Sequence, residues 1–352
     1  MNKCMDMKSY GLSDRFLTLA AEHDHLTVGR ITTQEKGLYL LVAEYGEKLA
    51  EVSGKFIYNA ESVSDYPAVG DFVMVDWNEN GGNAVIHHVL PRKSCFIRKA
   101  AGDARQEQVI AANIDTIFLC MALNNDFNLR RLERYLSIAW DSGATPVVVL
   151  TKGDLCDDVN GRKLAIESVA IGADILITSS VEQDGYKQLL PYIRDGQTVA
   201  LIGSSGVGKS TLINQLLGEE RLDTKGLRND DKGRHTTTHR EMLLLPQGGL
   251  VIDTPGMREL GMWDSAAGVD HTFEEIEELA SGCRFHDCTH SGEPGCAIQN
   301  ALMNGTLEID RWRSYQKLKA ESAYAEDSKS YLAAKERKFK EIAKYLKTNR
   351  KR

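Results

Sequence analysis

The chain has 352 residues, 42% of them hydrophobic and 26% charged, and a formal net charge of −7. Length sets an expectation of two or three domains and composition that of an ordinary soluble globular chain, while the acidic balance excludes a wholly basic nucleic-acid binder but not a local basic patch. No apolar run approaches a membrane span, and the first residues (MNKCMDMKSY) lack the apolar core of a secretory leader, so a cytoplasmic setting without membrane contact is expected.

Residues 1–24 carry no clear pattern and are set apart as an N-terminal extension. Residues 25–105 read as β. LTVGRITT, GLYLLVA, KLAEVSGKFI, DFVMVDW and NAVIHHVL are short and rich in Val, Ile and aromatics, with turn signals at Gly46, Val69-Gly70-Asp71 and Asn80-Gly81-Gly82-Asn83. Five such segments predict a small β-barrel of the OB-fold type. Lys93, Arg98, Lys99 and Arg105 follow the last strand, and two readings stand: a solvated linker, or a contact to a phosphate backbone.

Residues 106–264 alternate strand and helix, which predicts an α/β domain with a mostly parallel sheet. Predicted strands are Asp115 to Met121, Pro146 to Leu150 and Asp174 to Thr178; predicted helices are Leu129 to Trp140, Asn160 to Ile171 and Gly185 to Tyr192. Thr151-Lys152-Gly153-Asp154 follows the second strand and matches the guanine-reading pattern [NT]KxD. Guanine offers two donors, N1–H and the 2-amino group, and the Asp154 carboxylate can accept both; adenine lacks the amino group and has an acceptor at N1. Lys152 would cover the base. Thr151 stands where Asn is commoner and lacks the amide that can brace a neighbouring loop. Thr178-Ser179-Ser180 ends the next strand and resembles a loop that gives a backbone N–H to guanine O6, so Ser179 and Ser180 join the nucleotide set.

Thr198 to Ile202 is a short apolar strand, and Lys209 to Leu217 reads as a helix. Between them, Gly203-Ser204-Ser205-Gly206-Val207-Gly208-Lys209-Ser210 fits G-x-x-x-x-G-K-[ST] at every constrained position. Such a turn converges backbone N–H groups on a phosphate at a helix N-terminus. Lys209 would reach the β- and γ-phosphates, Ser210 would ligate Mg²⁺, and Thr211 follows in the same binding turn. Met242 to Leu245 and Leu250 to Ile252 predict a hairpin. Asp253-Thr254-Pro255-Gly256 closes it as D-x-x-G, with Asp253 near Mg²⁺ and the Gly256 N–H at the γ-phosphate. Gly233-Arg234-His235-Thr236-Thr237-Thr238 lies between P-loop and D-x-x-G. Thr237 or Thr238 would be the switch threonine that ligates Mg²⁺ with γ-phosphate present. Met257 follows the D-x-x-G glycine and cannot orient water; His235 is the nearest candidate catalytic group.

Of seven cysteines, Cys4, Cys95, Cys120 and Cys156 are scattered. Cys283, Cys288 and Cys296 cluster with His290 as C-x4-C-x-H-x5-C, a Cys₃His set for one structural Zn²⁺ in a helical module spanning 265–325. His286 is the competing imidazole. Residues 326–352 predict a basic helix, with Lys335, Arg337, Lys338 and Lys340 among its charges, beside an apolar stripe; nucleic acid is its expected target and a solvated face the alternative.

The base-reading motifs precede the phosphate-binding ones, the reverse of the usual GTPase order, so the G domain is circularly permuted and its break falls just after D-x-x-G. Barrel, permuted motif order, the GRHTTT switch and the Cys₃His cluster together resemble the ribosome-small-subunit-dependent GTPase A (RsgA) family. That resemblance implies a multidomain α/β chain: OB-fold β-barrel, circularly permuted P-loop GTPase domain, helical zinc-binding domain. It implies a GTPase that acts in late maturation of the 30S subunit, contacts 16S rRNA and is stimulated by the ribosome, with a role for His235. The motifs themselves set the expectation of GTP and GDP bound with Mg²⁺, and a monomer is expected. An alternative is a nucleotide-gated RNA-binding switch whose hydrolysis is incidental. An ATP-dependent enzyme is a third reading, which Asp154 opposes.

Overall fold

The computed structural model describes residues 5–35, 37–78, 81–100, 103–124, 126–179, 184–222, 240–253 and 266–325. The switch stretch 233–238, Ser180, Thr254 to Met257 and the basic tail lie outside them, and with them the expectations for His235, Thr237 and Gly256.

Helix α1 (Asp14–Ala20) comes first, where the sequence showed no pattern. Only Phe16 of α1 is buried, against Phe72 at a ring distance of 4.2 Å. One buried residue in seven gives no readable period, yet burying a phenyl ring stabilises by about 2–3 kcal/mol. The barrel strands are β1 (Thr27–Glu35), β2 (Leu38–Ala43), β3 (Gly46–Val52), β4 (Phe72–Asp76) and β5 (Ala84–Val89). Their order is β1-β2-β3-β5-β4, and pairing of β1 with β4 closes the ring. Ile31, Leu41, Ala50, Val73, Val75 and Ile86 fill the interior. The segment after β3 is not a strand: Ser53 accepts from the Phe56 N–H at 3.1 Å and starts α2 (Gly54–Asn59). The charged stretch near 98–105 belongs to a separate two-stranded ribbon, β6 (Cys95–Ala100) with β7 (Asp103–Ala112).

The α/β domain contributes β8 (Thr116–Ala122), α3 (Leu129–Ser142), β9 (Thr145–Thr151), α4 (Val159–Glu167), β10 (Asp174–Ile177), β11 (Thr198–Ile202), α5 (Lys209–Leu217), β12 (Arg240–Leu244) and β13 (Leu250–Asp253). Strands β10-β9-β8-β11-β13 are parallel and β12 is antiparallel to β13, as the hairpin reading requires. Every residue of β8 and β11 is buried, which is what helices on both faces demand. Gly185–Tyr192 forms a 3₁₀ helix rather than an α-helix; Pro191 inside it lacks the N–H an α-turn needs.

The sheet does not stop at β12. Thr33 and Gln34 of β1 pair with Glu241 and Arg240, so barrel and α/β domain share one eleven-stranded sheet. Arg30 secures the seam from inside. Fully buried, it donates to Gly70 O (3.2 Å), Tyr10 O (2.5 Å), Asn113 O (3.3 Å) and Thr198 Oγ1 (2.8 Å) at the start of β11. Burial pushes its guanidinium down to about 10, with Asp115 and Asp71 pulling the other way, so it stays charged at neutral pH.

The last module holds α6 (Ala266–Thr272), α7 (Glu274–Ser281), α8 (Ala297–Asn304) and α9, residues 309–325. It docks on α3. A Cβ at Gly268 would fall 2.0 Å from Ser137 O, so α6 approaches α3 as only glycine allows. Beside that contact, Glu133 of α3 is fully buried and accepts from Arg311 (2.8 Å), Ser314 (2.5 Å) and Arg130. Arg311 also meets Glu275 at 2.8 Å and Thr272 O at 2.7 Å. The buried carboxylate is thus satisfied from both modules, and losing one partner would leave an uncompensated charge.

Candidate nucleotide and metal sites

Strand β11 delivers the glycine-rich turn between β8 and β13. An ideal Cβ at Gly203 would lie 2.4 Å from Cys120 O, and Gly208 takes φ 103°, so these two positions cannot carry a side chain without strain. Lys209 sits at the head of α5, and its ammonium donates to Gly203 O (2.6 Å) and Ser204 O (2.7 Å).

The Thr151-Lys152-Gly153-Asp154 segment lies against this turn. Thr151 ends β9, and its hydroxyl donates to Val207 O at 2.6 Å. Thr151 lacks the asparagine amide, and its hydroxyl makes the contact to the glycine-rich turn instead. Lys152 adopts φ 57° and its ammonium donates to Gly206 O at 2.8 Å, laying its stem along the turn. Asp154 is exposed and accepts from Ser179 Oγ at 2.5 Å, which joins the Thr151–Asp154 segment to the segment that follows β10. Asp253 ends β13, one strand from the P-loop strand and at its C-terminal end.

The sequence reading missed Asp126 and Arg131. Asp126 Oδ2 accepts from Ser204 Oγ at 2.5 Å, and Arg131 holds the same carboxylate at 2.7 Å through Oδ1. Their importance follows from β8 lying beside β11, a sheet order that the linear sequence does not display.

With this geometry fixed, comparison with known proteins decides the family. The family model described as RsgA GTPase matches residues 89–263. Small ribosomal subunit biogenesis GTPase RsgA 2 of Lactiplantibacillus plantarum is 48% identical over 322 residues, covering 91% of this chain and 90% of that protein. This chain belongs to the RsgA GTPase family. Small ribosomal subunit biogenesis GTPase RsgA of Opitutus terrae is 46% identical over 335 residues, covering 91% of each chain. YjeQ from Thermotoga maritima superposes with a TM-score of 0.62 at 26% identity, covering 85% of this chain and 99% of that one. YloQ, a circularly permuted GTPase, gives 0.60 at 26% identity, over 86% and 96%. An RsgA-family chain is a GTPase, and the permuted motif order read from the sequence is the family's.

The donor set in the chain's last module fits a tetrahedral ion. Cys283, Cys288, His290 and Cys296 place their ligand atoms within 4.8 Å of one another. Cys283 and Cys296 sulfurs are 3.9 Å apart, and each lies 3.5 Å from His290 Nδ1. A tetrahedral Zn²⁺ with ordinary bond lengths needs edges of about 3.8 Å between sulfurs and about 3.6 Å between sulfur and nitrogen. Backbone N–H groups of Ala297 and Gln299 point at the Cys283 and Cys296 sulfurs at 3.3 and 3.4 Å, as thiolates would require. His290 reaches the cluster through φ 59°, and Gln299 fixes its carbonyl at 2.6 Å; His286 is exposed and outside the set.

Purified protein is expected to carry about one Zn²⁺ per chain by elemental analysis. Apparent zinc-binding energies near 10–16 kcal/mol exceed what so small a core supplies, so Cys288→Ala should expose 266–325 to proteolysis while nucleotide binding stays measurable. A metal-free chain that resists proteolysis there would rule this out.

Proposed function

We propose that this chain hydrolyses GTP in late maturation of the 30S ribosomal subunit, contacting 16S rRNA and turning over fastest on the subunit. The observation that carries this reading is the architecture around the nucleotide site. A barrel shares the sheet with it on one side, and a metal-binding module is bolted to α3 on the other. Both relatives compared above are named for small ribosomal subunit biogenesis, and the chain matches nine-tenths of their length. Ser210 and Asp253, with Thr237 as the switch threonine, are assigned to Mg²⁺; Asp154 with Ser179 and Ser180 to guanine; Cys283, Cys288, His290 and Cys296 to a structural Zn²⁺. Among the described residues no helix is long and apolar enough to cross a membrane. Action on the 30S subunit would place the protein in the cytoplasm, and it is proposed to work as a monomer.

The deciding experiment measures GTP turnover with and without purified 30S subunits. Stimulation of ~10²-fold or more is expected, the scale of a positioned catalytic group. Turnover that stays slow at saturating 30S, with GTP-dependent binding preserved, would favour the nucleotide-gated switch instead.

A further inference from the structure

Strand β1 belongs to two structures at once. Its residues Thr27 to Arg30 pair with β4 and close the barrel. Against β2 its register then slips between Ile31 and Thr33, and Thr32 is the inserted residue. Beyond this bulge, Thr33 and Gln34 pair with β12. A bulge bends a strand and increases its twist, which lets β1 leave the barrel wall and enter the α/β sheet. Three residues then stand on one rung: Thr33 opposite Glu241, and Glu241 opposite Asp253. Neighbouring strands lie ~4.8 Å apart, so a barrel residue sits within ~10 Å of the backbone of Asp253.

Arg240, the first residue of β12, stands on the next rung, opposite Gln34. Its side chain is buried, and the guanidinium donates to Gln34 Oε1 at 3.4 Å, Gln108 Oε1 at 3.2 Å and Val109 O at 3.3 Å. Those acceptors belong to β1 and β7. Strand β12 is therefore tied through one side chain to the barrel strand β1 and to the ribbon strand β7. Glu241 adds a tie in the other direction, to Arg221 at 2.7 Å beyond the end of α5.

We propose that Arg240 is a positioning residue for GTP hydrolysis: it clamps β12 to the barrel so that β1, β12 and β13 move together, and Asp253 and the barrel each respond to what the other binds. This rests on Asp253 lying at the Mg²⁺–nucleotide site. Coupling of this kind is reciprocal, so a barrel that feels the nucleotide must also bias the nucleotide site when it docks. A strand that merely covers a sheet edge would give stability without coupling.

Hydrogen exchange of the full chain with Mg²⁺–GDP and with a non-hydrolysable Mg²⁺–GTP analogue separates these cases. Amides of 31–35 should exchange at rates differing by ~5-fold or more between the two nucleotides. Arg240→Met should erase that difference while P-loop protection persists. Under 30S stimulation it should lower kcat by ~5-fold or more with KM nearly unchanged, and Arg240→Lys should restore part of the loss. Gln34→Ala, on a half-exposed residue, should blunt the same response if Arg240→Met fails to fold. A β1 response that survives Arg240→Met, or Gln34→Ala where that variant replaces it, overturns the proposal, as does an indifferent β1 in the wild type. Absence of P-loop protection with either nucleotide would instead overturn the nucleotide reading itself.

Discussion

Asp154→Asn is expected to weaken GTP binding by ~2–4 kcal/mol, which is ~30-fold to ~1000-fold in Kd. In the proposed base site the carboxylate would be an acceptor pair facing two donors on guanine. An amide turns one of those acceptors into a donor and sets it against the 2-amino group. The substitution should leave the fold alone, because Asp154 is exposed and the bond it takes from Ser179 Oγ needs only a carbonyl-type oxygen, which Asn keeps. Xanthine nucleotides give the internal control. They carry an acceptor oxygen in place of the 2-amino group, so the Asp154→Asn variant should bind XTP better than GTP. Isothermal titration of both nucleotides against both proteins checks this. Unchanged GTP affinity would remove Asp154 from the base site, and loss of GTP and XTP alike would mark damage to the loop.

Much of this was legible in the sequence because local chemistry decides it. The P-loop needs a strand, small residues and a helix in succession, and TVALI, GSSGVG and KSTLINQLL supply them within about twenty residues. Strands β2, β4 and β5 announce themselves by apolar and β-branched content, and the Cys₃His set by spacing alone. What was hidden depends on distant contacts. Glu133 reads as an ordinary helix acid, yet Arg311, 178 residues later, makes it a buried hub. Arg30 reads as a charge on a strand and is the most deeply embedded cation at the barrel seam. The pairing of β1 with β12 has no sequence signature, because any strand edge with matching register can accept a partner. Helix α2 was lost for a local reason: KFIY continues an apolar run, and only the Ser53 cap reveals that the run has turned helical.

His235→Ala should remove most of the ribosome-stimulated turnover while leaving GTP affinity nearly intact. Met257 follows the D-x-x-G glycine, and a thioether cannot donate a hydrogen bond to an attacking water. Some other residue, or the ribosome, must orient that water. Chain geometry allows His235 the task. Strand β12 runs antiparallel to β13, so Arg240 starts at the sheet end where Asp253 stops and where β11 enters the P-loop. His235 is five residues upstream of Arg240, a tether of at most ~18 Å when fully extended. Strand β12 is two strands from β11, a separation of ~10 Å. The tether is therefore long enough for the imidazole to reach the γ-phosphate. A lost water-orienting group should cost ~10²-fold or more in stimulated kcat, with KM for GTP changed little. His235→Gln should retain part of the rate if orientation alone is required, since a glutamine amide can hold a water but cannot take its proton. Single-turnover hydrolysis on saturating 30S subunits, run beside GTP binding for each variant, gives the answer. Full stimulation in His235→Ala would assign the catalytic group to the ribosome or to another residue of the chain.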